Sequence, residues 1–553
     1  MGTMDITYSS IADWPTFPVT VTSSWLVKPG SCSKLQEGSG DMIVNGGEWT
    51  CSKARGKLQE GSGDMIVNGG EWTCSKARGK LQEGSGDMIV NGGEWTCSKA
   101  RGKLPLTGFD VCRLRLGFMP RILVFDNPAD VEGAEEAGGF KSELAGVRLR
   151  ESLAKALEEC YPLAGRLVSE EDGTFAIDCN DAGVLFVEAS SPISAVEVRD
   201  DRLLHAYENF SPLDRYALPD IATLQCAPLL AVQVTTCHQG GYVVVVMCSH
   251  AVVDGNCAWQ FVNSWAQVSR GEQISRPFDF SSRENIINLK PHTDLQTSLI
   301  ELPPTWKKQE VLPHVGLVSH RLWATPIASK HLFLKVHPEH VKILKSQLAQ
   351  EDDHDLVHAD GSSPARFSSF VAISALLWRT IIRARNIPHS QDSRFMTVID
   401  CRQRCDNLPK TYFGNAILDT VSVANVGELL QRTISFAATT IHNTLQKFSA
   451  GVYIQSFSNM MEQNKHFALT AENRGDRDVW TAGMIHNPLL ACDFGSGNPC
   501  CIKFDVQRRG SIIMWCPKSK PSDAWTLVFK GPLDVADRLL KDPEFMSFMT
   551  LDY

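Results

Sequence analysis

Apolar positions along this chain recur with two periods, and the alternation of those periods predicts its elements. Leu149, Leu153, Leu157 and Cys160 share one face at helical spacing, with Arg148, Arg150, Lys155, Glu158 and Glu159 elsewhere. That pattern predicts an amphipathic helix over Val147 to Cys160. Pro162 stops it and Gly165 turns the chain towards a strand. Leu229 to Val234 alternates as a strand does, and Gln239-Gly240-Gly241 reads as a turn. Tyr242 to Cys248 is continuously apolar, the pattern of a strand buried on both faces. A helical segment, Asn256 to Val268, follows.

A second set of elements lies further on. Phe370, Ile373, Leu376, Leu377 and Ile381 predict a helix over Phe367 to Arg383. Phe395 to Ile399 reads as a strand, Arg402 to Gly414 as a turn region, and Val426 to Phe448 as one long helix. The tail predicts strands at Ile502 to Val506, Ser511 to Trp515 and Ala524 to Phe529, then a helix at Leu533 to Leu540. Between the two sets, about Arg270 to His320 is rich in Pro, Ser and charge, as a long connector is. Mixed order with hairpins predicts an α/β (α+β) chain of two domains, and 553 residues are too many for one core.

Residues Lys34 to Gly56, Lys57 to Gly79 and Lys80 to Gly102 are three identical 23-residue units. A solenoid needs apolar positions that stack, and each unit offers little beyond Met-Ile-Val and one tryptophan. Perfect identity points instead to a recent tandem duplication in the DNA or an error in the gene model, and the polar composition to a disordered surface insert. The expected organisation is therefore 1–33 with 103–270 as a first domain, 34–102 as the insert, 271–325 as a crossover linker, and 326–553 as a second domain.

Composition narrows the function classes. The chain is 43% hydrophobic and 21% charged, with a net charge of −9 and no basic run, which argues against nucleic-acid binding. It has no apolar stretch of membrane-spanning length. Met1 to Thr20 carries Asp5, Asp13 and two prolines without a basic start and apolar centre, unlike a signal peptide. A cytoplasmic protein without membrane partners is expected. The 17 cysteines include no Cys-x-x-Cys, so no metal site is expected. No glycine-rich phosphate loop opens a helix, and no G-x-S-x-G nucleophile motif occurs.

The candidate chemistry is His250-Ala251-Val252-Val253-Asp254-Gly255, at the junction of the apolar strand and the following helix. A histidine on a rigid element can serve as a general base near neutral pH. A half-buried histidine that caps a strand is the alternative reading. Three further landmarks stand in order around it: YPLAGRL at Tyr161 to Leu167, DCRQRCDNLPKTYFGN at Asp400 to Asn415, and DFGSGNP at Asp493 to Pro499.

Together these motifs resemble the plant BAHD acyltransferases, in the hydroxycinnamoyl-transferring branch, over residues 14–33 and 104–545. The resemblance implies two similar chloramphenicol-acetyltransferase-like domains, joined by a long crossover around a central channel. It implies acyl-CoA as co-substrate with no permanently bound cofactor, a small alcohol or amine as acceptor, and a monomer. His250 becomes the general base. Asp254 becomes structural, holding its loop through an arginine, and Gly255 belongs to the same motif. The stretch matching that arginine is Ser329 to Phe333, so Lys330 or His331 would serve in its place. Asp493, Gly495 and Gly497 shape the companion loop at the active site. Ser496 stands where the family has tryptophan and is a candidate channel residue. The shikimate-gripping arginine aligns with Leu469, and Ala482-Gly483-Met484 aligns with the family's Thr-Ser-Trp, so a shikimate acceptor is not supported. Arg474 and Arg477 lie out of register. Two readings compete with the enzyme. One is a degenerate relative that binds without efficient turnover. The other is a condensation-type domain, against which Ser249 stands where a second histidine is normal.

Overall fold

The structure is a computed structural model. It describes residues 19–35, 101–114, 117–126, 145–198, 210–212, 225, 227–238, 240–287, 329–355, 367–402, 404, 408–447, 476–483, 492–504, 511–515 and 524–551. Most of the repeated insert, most of the expected crossover, and Leu469, Arg474 and Met484 lie outside them.

Among the described residues, two seven-stranded sheets carry the fold. The first runs, edge to edge, Cys501–Phe504, Phe118–Phe125, Tyr242–Ser249, Leu230–Cys237, Val184–Ser191, Thr20–Lys28 and Ser31–Leu35. The second runs Ile417–Asn425, Asp392–Asp400, Asp478–Gly483, Ser511–Trp515, Trp525–Pro532, Ser329–Val336 and Thr550–Leu551. Both sheets are mixed. Val184–Ser191 pairs in parallel with Leu230–Cys237, and Asp478–Gly483 is parallel to both its neighbours. A small third sheet joins Lys103–Pro105, Phe175–Asp178 and Arg166–Ser169. The expected mixed α/β class is what the sheets show.

The apolar strand Tyr242–Ser249 is buried at all eight positions, as a continuous apolar run requires. Two long helices cover one face of this region. Helix Ala145–Glu159 buries Leu149, Leu153 and Leu157, and helix Gly255–Ser269 buries Trp259, Phe261, Val262 and Trp265. Trp265 ties the two helices, donating from Nε1 to Ser152 Oγ at 3.0 Å and the Leu149 carbonyl at 3.3 Å. The second sheet is covered by helix Ser369–Ala384, whose Trp378 Nε1 donates to Ser393 Oγ at 2.8 Å.

Two expectations are corrected and one strand is added. The tail strand at Ile502 belongs to the first sheet, not the second: Cys501–Phe504 pairs antiparallel with Phe118–Phe125. The segment expected as one helix from Val426 is two, Val426–Gln431 and Ile434–Lys447. Arg432 between them is extended at φ −78° and ψ 171°, and Thr433 and Ser435 bond each other through their hydroxyls at 2.8 Å. Such hydroxyls compete with helical backbone bonding and favour helix boundaries. Strand Ile417–Asn425 went unassigned because its buried alternate positions include Thr420 and Ser422, so its inward face does not read as apolar. No helix among the described residues is long and apolar enough to cross a membrane.

Candidate active site

His250 follows the last residue of the buried strand. Its amide donates to the Gly117 carbonyl at 2.9 Å, and its carbonyl accepts from Asn415 Nδ2 at 2.9 Å. The backbone is therefore fixed on both sides while the residue stays half-buried. Ala251, Val252 and Val253 are each 1% exposed and pin the turn that follows. A loop held this way presents one polar side chain from a rigid support.

Asp254 then caps helix Gly255–Ser269. It is extended at φ −93° and ψ −177°, and its Oδ1 accepts from the Cys257 amide at 3.0 Å. A carboxylate at a helix N-terminus satisfies an otherwise orphaned donor. Its Oδ2 accepts from the Ala416 amide at 3.0 Å and pairs with Arg402 Nη1 at 2.9 Å. The arginine predicted from the family pattern is thus Arg402, not Lys330 or His331. Lys330 lies on a half-exposed surface and pairs with Asp537 at 3.4 Å.

Arg402 uses its whole donor fork. Nε donates to the Tyr412 carbonyl at 3.0 Å, Nη2 to the Gly414 carbonyl at 2.6 Å and to Cys257 Sγ at 3.0 Å, and Nη1 also to Asp400 Oδ1 at 3.0 Å. Lysine has no such planar fork, which explains why a substitute at 330 could not do this. Burial opposes ionisation of Asp254. The Arg402 guanidinium and the amide donations from Cys257 and Ala416 outweigh it and hold the carboxyl below the usual range.

A depressed carboxyl stabilises the fold above its unfolded pKa, about 3.9 for aspartate, and that contribution is lost as pH falls through the lower folded value. Wild type is therefore expected to lose thermal stability more steeply than Asp254→Asn as pH drops below about 4. Melting curves of the two proteins over that range check this; parallel pH profiles would contradict it.

A second buried carboxylate, Asp110, lies behind the first. It takes donations from Thr107 N at 3.0 Å and Thr107 Oγ at 2.9 Å, from Arg283 Nη1 at 2.5 Å, and from Asn415 N and Nδ2 at 3.0 and 2.9 Å. The ring of Tyr412 stands between the two clamps, with the Arg402 and Arg283 guanidinium carbons 5.4 and 5.8 Å from its centroid. Sequence reasoning missed Arg402, Asn415, Asp110 and Arg283 as site residues. Arg402 and Asn415 lie inside the DCRQRCDNLPKTYFGN landmark, and Thr107-x-x-Asp110 is a capping-box signature. Arg283, in the expected linker, carried no signal.

Gly255 opens the helix that Asp254 caps. A Cβ built there meets nothing within 4 Å, so packing does not demand glycine. Its neighbour Asn256 donates from Nδ2 to Asp400 Oδ2 at 3.0 Å, tying the helix start to the second sheet.

The DFGSG loop sits elsewhere. Ser496 Oγ bonds Tyr242 Oη at 2.6 Å, and Tyr242 begins the strand that ends beside His250. Seven residue steps of strand separate those ends by about 23 Å. Helix Gly255–Ser269 runs back about the same distance, at roughly 1.5 Å per residue. Its C-terminal end meets the loop: Ser269 Oγ donates to the Phe494 carbonyl at 2.8 Å and Arg270 donates to the Asp493 carbonyl. Ser496 therefore does not lie beside His250, and Asp493, Gly495 and Gly497 brace the far end of the strand and helix. Asp493 Oδ1 accepts from the Gly495 and Gly497 amides at 2.7 and 2.9 Å. Both glycines have positive φ, +108° and +92°, and a Cβ at Gly495 would come within 2.8 Å of Arg148.

The Ser496–Tyr242 bond explains how the loop accommodates a serine. Burial holds the Tyr242 phenol above its usual range, so it stays protonated and can donate. Tyr242→Phe is expected to cost about 1 kcal/mol and to leave the rate of acyl transfer unchanged. Thermal melts and initial rates of the two proteins measure both; a large loss of rate would place the loop in the chemistry after all.

The sequence profile of the Transferase family matches residues 136–533. The chain belongs to this family, the BAHD acyltransferases, and is an acyl-CoA-dependent acyltransferase acting on small molecules. It is 31% identical over 384 residues to hydroxycinnamoyltransferase 2 of Oryza sativa subsp. japonica, covering 66% of this chain and 79% of that one. It is 30% identical over 369 residues to shikimate O-hydroxycinnamoyltransferase of Nicotiana tabacum, covering 64% and 77%. Among solved structures, F. sporotrichioides TRI101 complexed with coenzyme A and T-2 superposes with a TM-score of 0.64 at 16% identity, over 81% of this chain and 99% of that one. That match shows the shared fold.

Proposed function

We propose that the protein transfers a hydroxycinnamoyl or related aromatic acyl group from acyl-CoA to a hydroxyl or amine of a small specialised metabolite, with His250 as general base. The single observation that carries this reading is the anchoring of His250. Its backbone is bonded on both sides, and the carboxylate four residues on is engaged by Arg402 and by the Cys257 and Ala416 amides.

An alcohol attacks a thioester poorly until its proton leaves. The imidazole of His250 takes the proton from the acceptor O–H or N–H as the new bond forms at the thioester carbonyl carbon. The tetrahedral intermediate then collapses, the C–S bond breaks, and the imidazolium returns the proton to the departing thiolate. No covalent acyl-enzyme is required. Asp254 does not share the proton, because both its oxygens are occupied by Cys257, Ala416 and Arg402. By the family resemblance, donor and acceptor reach His250 from opposite faces. The hydroxycinnamoyl-transferring relatives support an aromatic donor.

A degenerate, non-turning-over relative loses two of its supports. The missing arginine is supplied by Arg402, and Ser496 has a partner in Tyr242.

A panel of coumaroyl-, caffeoyl-, benzoyl- and acetyl-CoA against alcohol and amine acceptors, read by release of free thiol, tests the proposal. Hydroxycinnamoyl donors are expected to exceed acetyl-CoA by about tenfold or more in kcat/KM, the discrimination a pocket shaped for the larger group gives. Acceptor-independent hydrolysis alone, or preference for acetyl-CoA, would overturn it.

A further inference from the structure

We infer that Asn415 is a positioning residue for acyl transfer, acting through His250 and anchored by Asp110. The inference rests on the reading of His250 as the base.

The bond set is specific. Asn415 Nδ2 donates both to the His250 carbonyl and to Asp110 Oδ1, at 2.9 Å each, and the Asn415 amide also donates to Asp110 Oδ1 at 3.0 Å. Both side-chain contacts are to oxygens that can only accept, which decides which end of the amide is nitrogen. Asn415 and Asp110 are fully buried. Asp110 belongs to the short helix Gly108–Val111, which leads into strand Phe118–Phe125 of the first sheet, and Asn415 lies just before strand Ile417–Asn425 of the second. One amide thus joins the loop of the second sheet, the anchor of the first and the backbone of the histidine.

The carbonyl that Asn415 holds is bonded to the Cα that carries the imidazole. A shift there rotates the ring relative to the reacting atoms. The opposite side of His250 is held through its amide by the Gly117 carbonyl, so Asn415 supplies a direct side-chain bond to this peptide. Asp110 is itself restrained by Arg283 and Thr107. The anchor therefore resists movement, and a donor lost at 415 frees the His250 carbonyl without freeing Asp110. Misplacement of a reacting group by about 1 Å can lower rate by about 10²-fold.

The test is a set of variants in two backgrounds. Asn415→Ala is expected to lower kcat by about 10- to 100-fold, with KM for acyl-CoA essentially unchanged. Asn415→Ser keeps a short donor and is expected to recover part of the loss. In a His250→Ala background, Asn415→Ala is expected to lower the residual rate no further, because its effect runs through the missing imidazole. Equal losses in both backgrounds, or wild-type kcat in Asn415→Ala, would overturn the inference. If Asn415→Ala fails to fold, Asn415→Ser in the same two backgrounds decides it by the same comparison. Full activity in His250→Ala alone would instead remove the base assignment on which the inference stands.

Discussion

Replacing Arg402 with methionine is expected to destabilise the protein by about 3–5 kcal/mol, because it strands a buried carboxylate. Asp254 is 0% exposed and Arg402 side-chain exposure is 1%, so water cannot solvate the charge left behind. The loss exceeds that of an ordinary surface pair, worth about 0–1 kcal/mol. Lys330→Met supplies the contrast. Its pair with Asp537 is 43% and 55% exposed, and the change is expected to alter stability by no more than about 0.5 kcal/mol. Removing both charges, Asp254→Asn with Arg402→Met, is expected to be milder than Arg402→Met alone, since no fully buried carboxylate is left unpaired there and the other partner of Arg402, Asp400, is 31% exposed. Thermal melts of the four proteins measure this series. A large loss in Lys330→Met with little in Arg402→Met would return the partner of Asp254 to the strand predicted from sequence.

The second large effect is on rate. His250→Ala is expected to lower kcat by about 10²- to 10⁴-fold, the range that a positioned general base contributes. Stability should change little, because the turn is held by backbone bonds and by the buried Ala251, Val252 and Val253. KM for acyl-CoA should stay close to wild type if the base acts only after binding. Steady-state rates and a melting curve on the same preparation separate loss of chemistry from loss of fold.

The elements that were legible in the sequence are those with one dominant period. The continuous run from Tyr242 and the Leu149-Leu153-Leu157 stripe lie where they were expected, because burial on both faces or on one face leaves a direct trace in residue order. Strand Ile417–Asn425 left none, since its inward positions are partly hydroxyl side chains bonded within the core, such as Thr420 to the Thr397 carbonyl at 3.1 Å. Sheet membership is a tertiary property, so nothing local told Cys501–Phe504 to leave its neighbours and join the first sheet.

The site divides in the same way. His250 and Asp254 stand four residues apart, at the junction of a buried strand and a helix that the local pattern predicts. The partner of Asp254 is 148 positions away and was misassigned, because an ion pair depends on which loops the fold brings together. Asn415 and Asp110 are separated by 305 residues and meet only in the folded chain. The DFGSG loop was read as close to the histidine because both motifs mark the family. The structure puts an entire strand and helix between them, and the loop's serine is bonded at the far end.

The most direct test of the central claim is the pH dependence of acyl transfer, followed as free thiol from pH 5 to 9, for wild type and His250→Ala side by side. A base must be unprotonated to act, so log kcat/KM of wild type is predicted to rise with unit slope as pH increases and then level. The residual rate of His250→Ala is predicted to lack that rise. A variant that keeps both the wild-type rate and the wild-type rise would show that another group takes the proton.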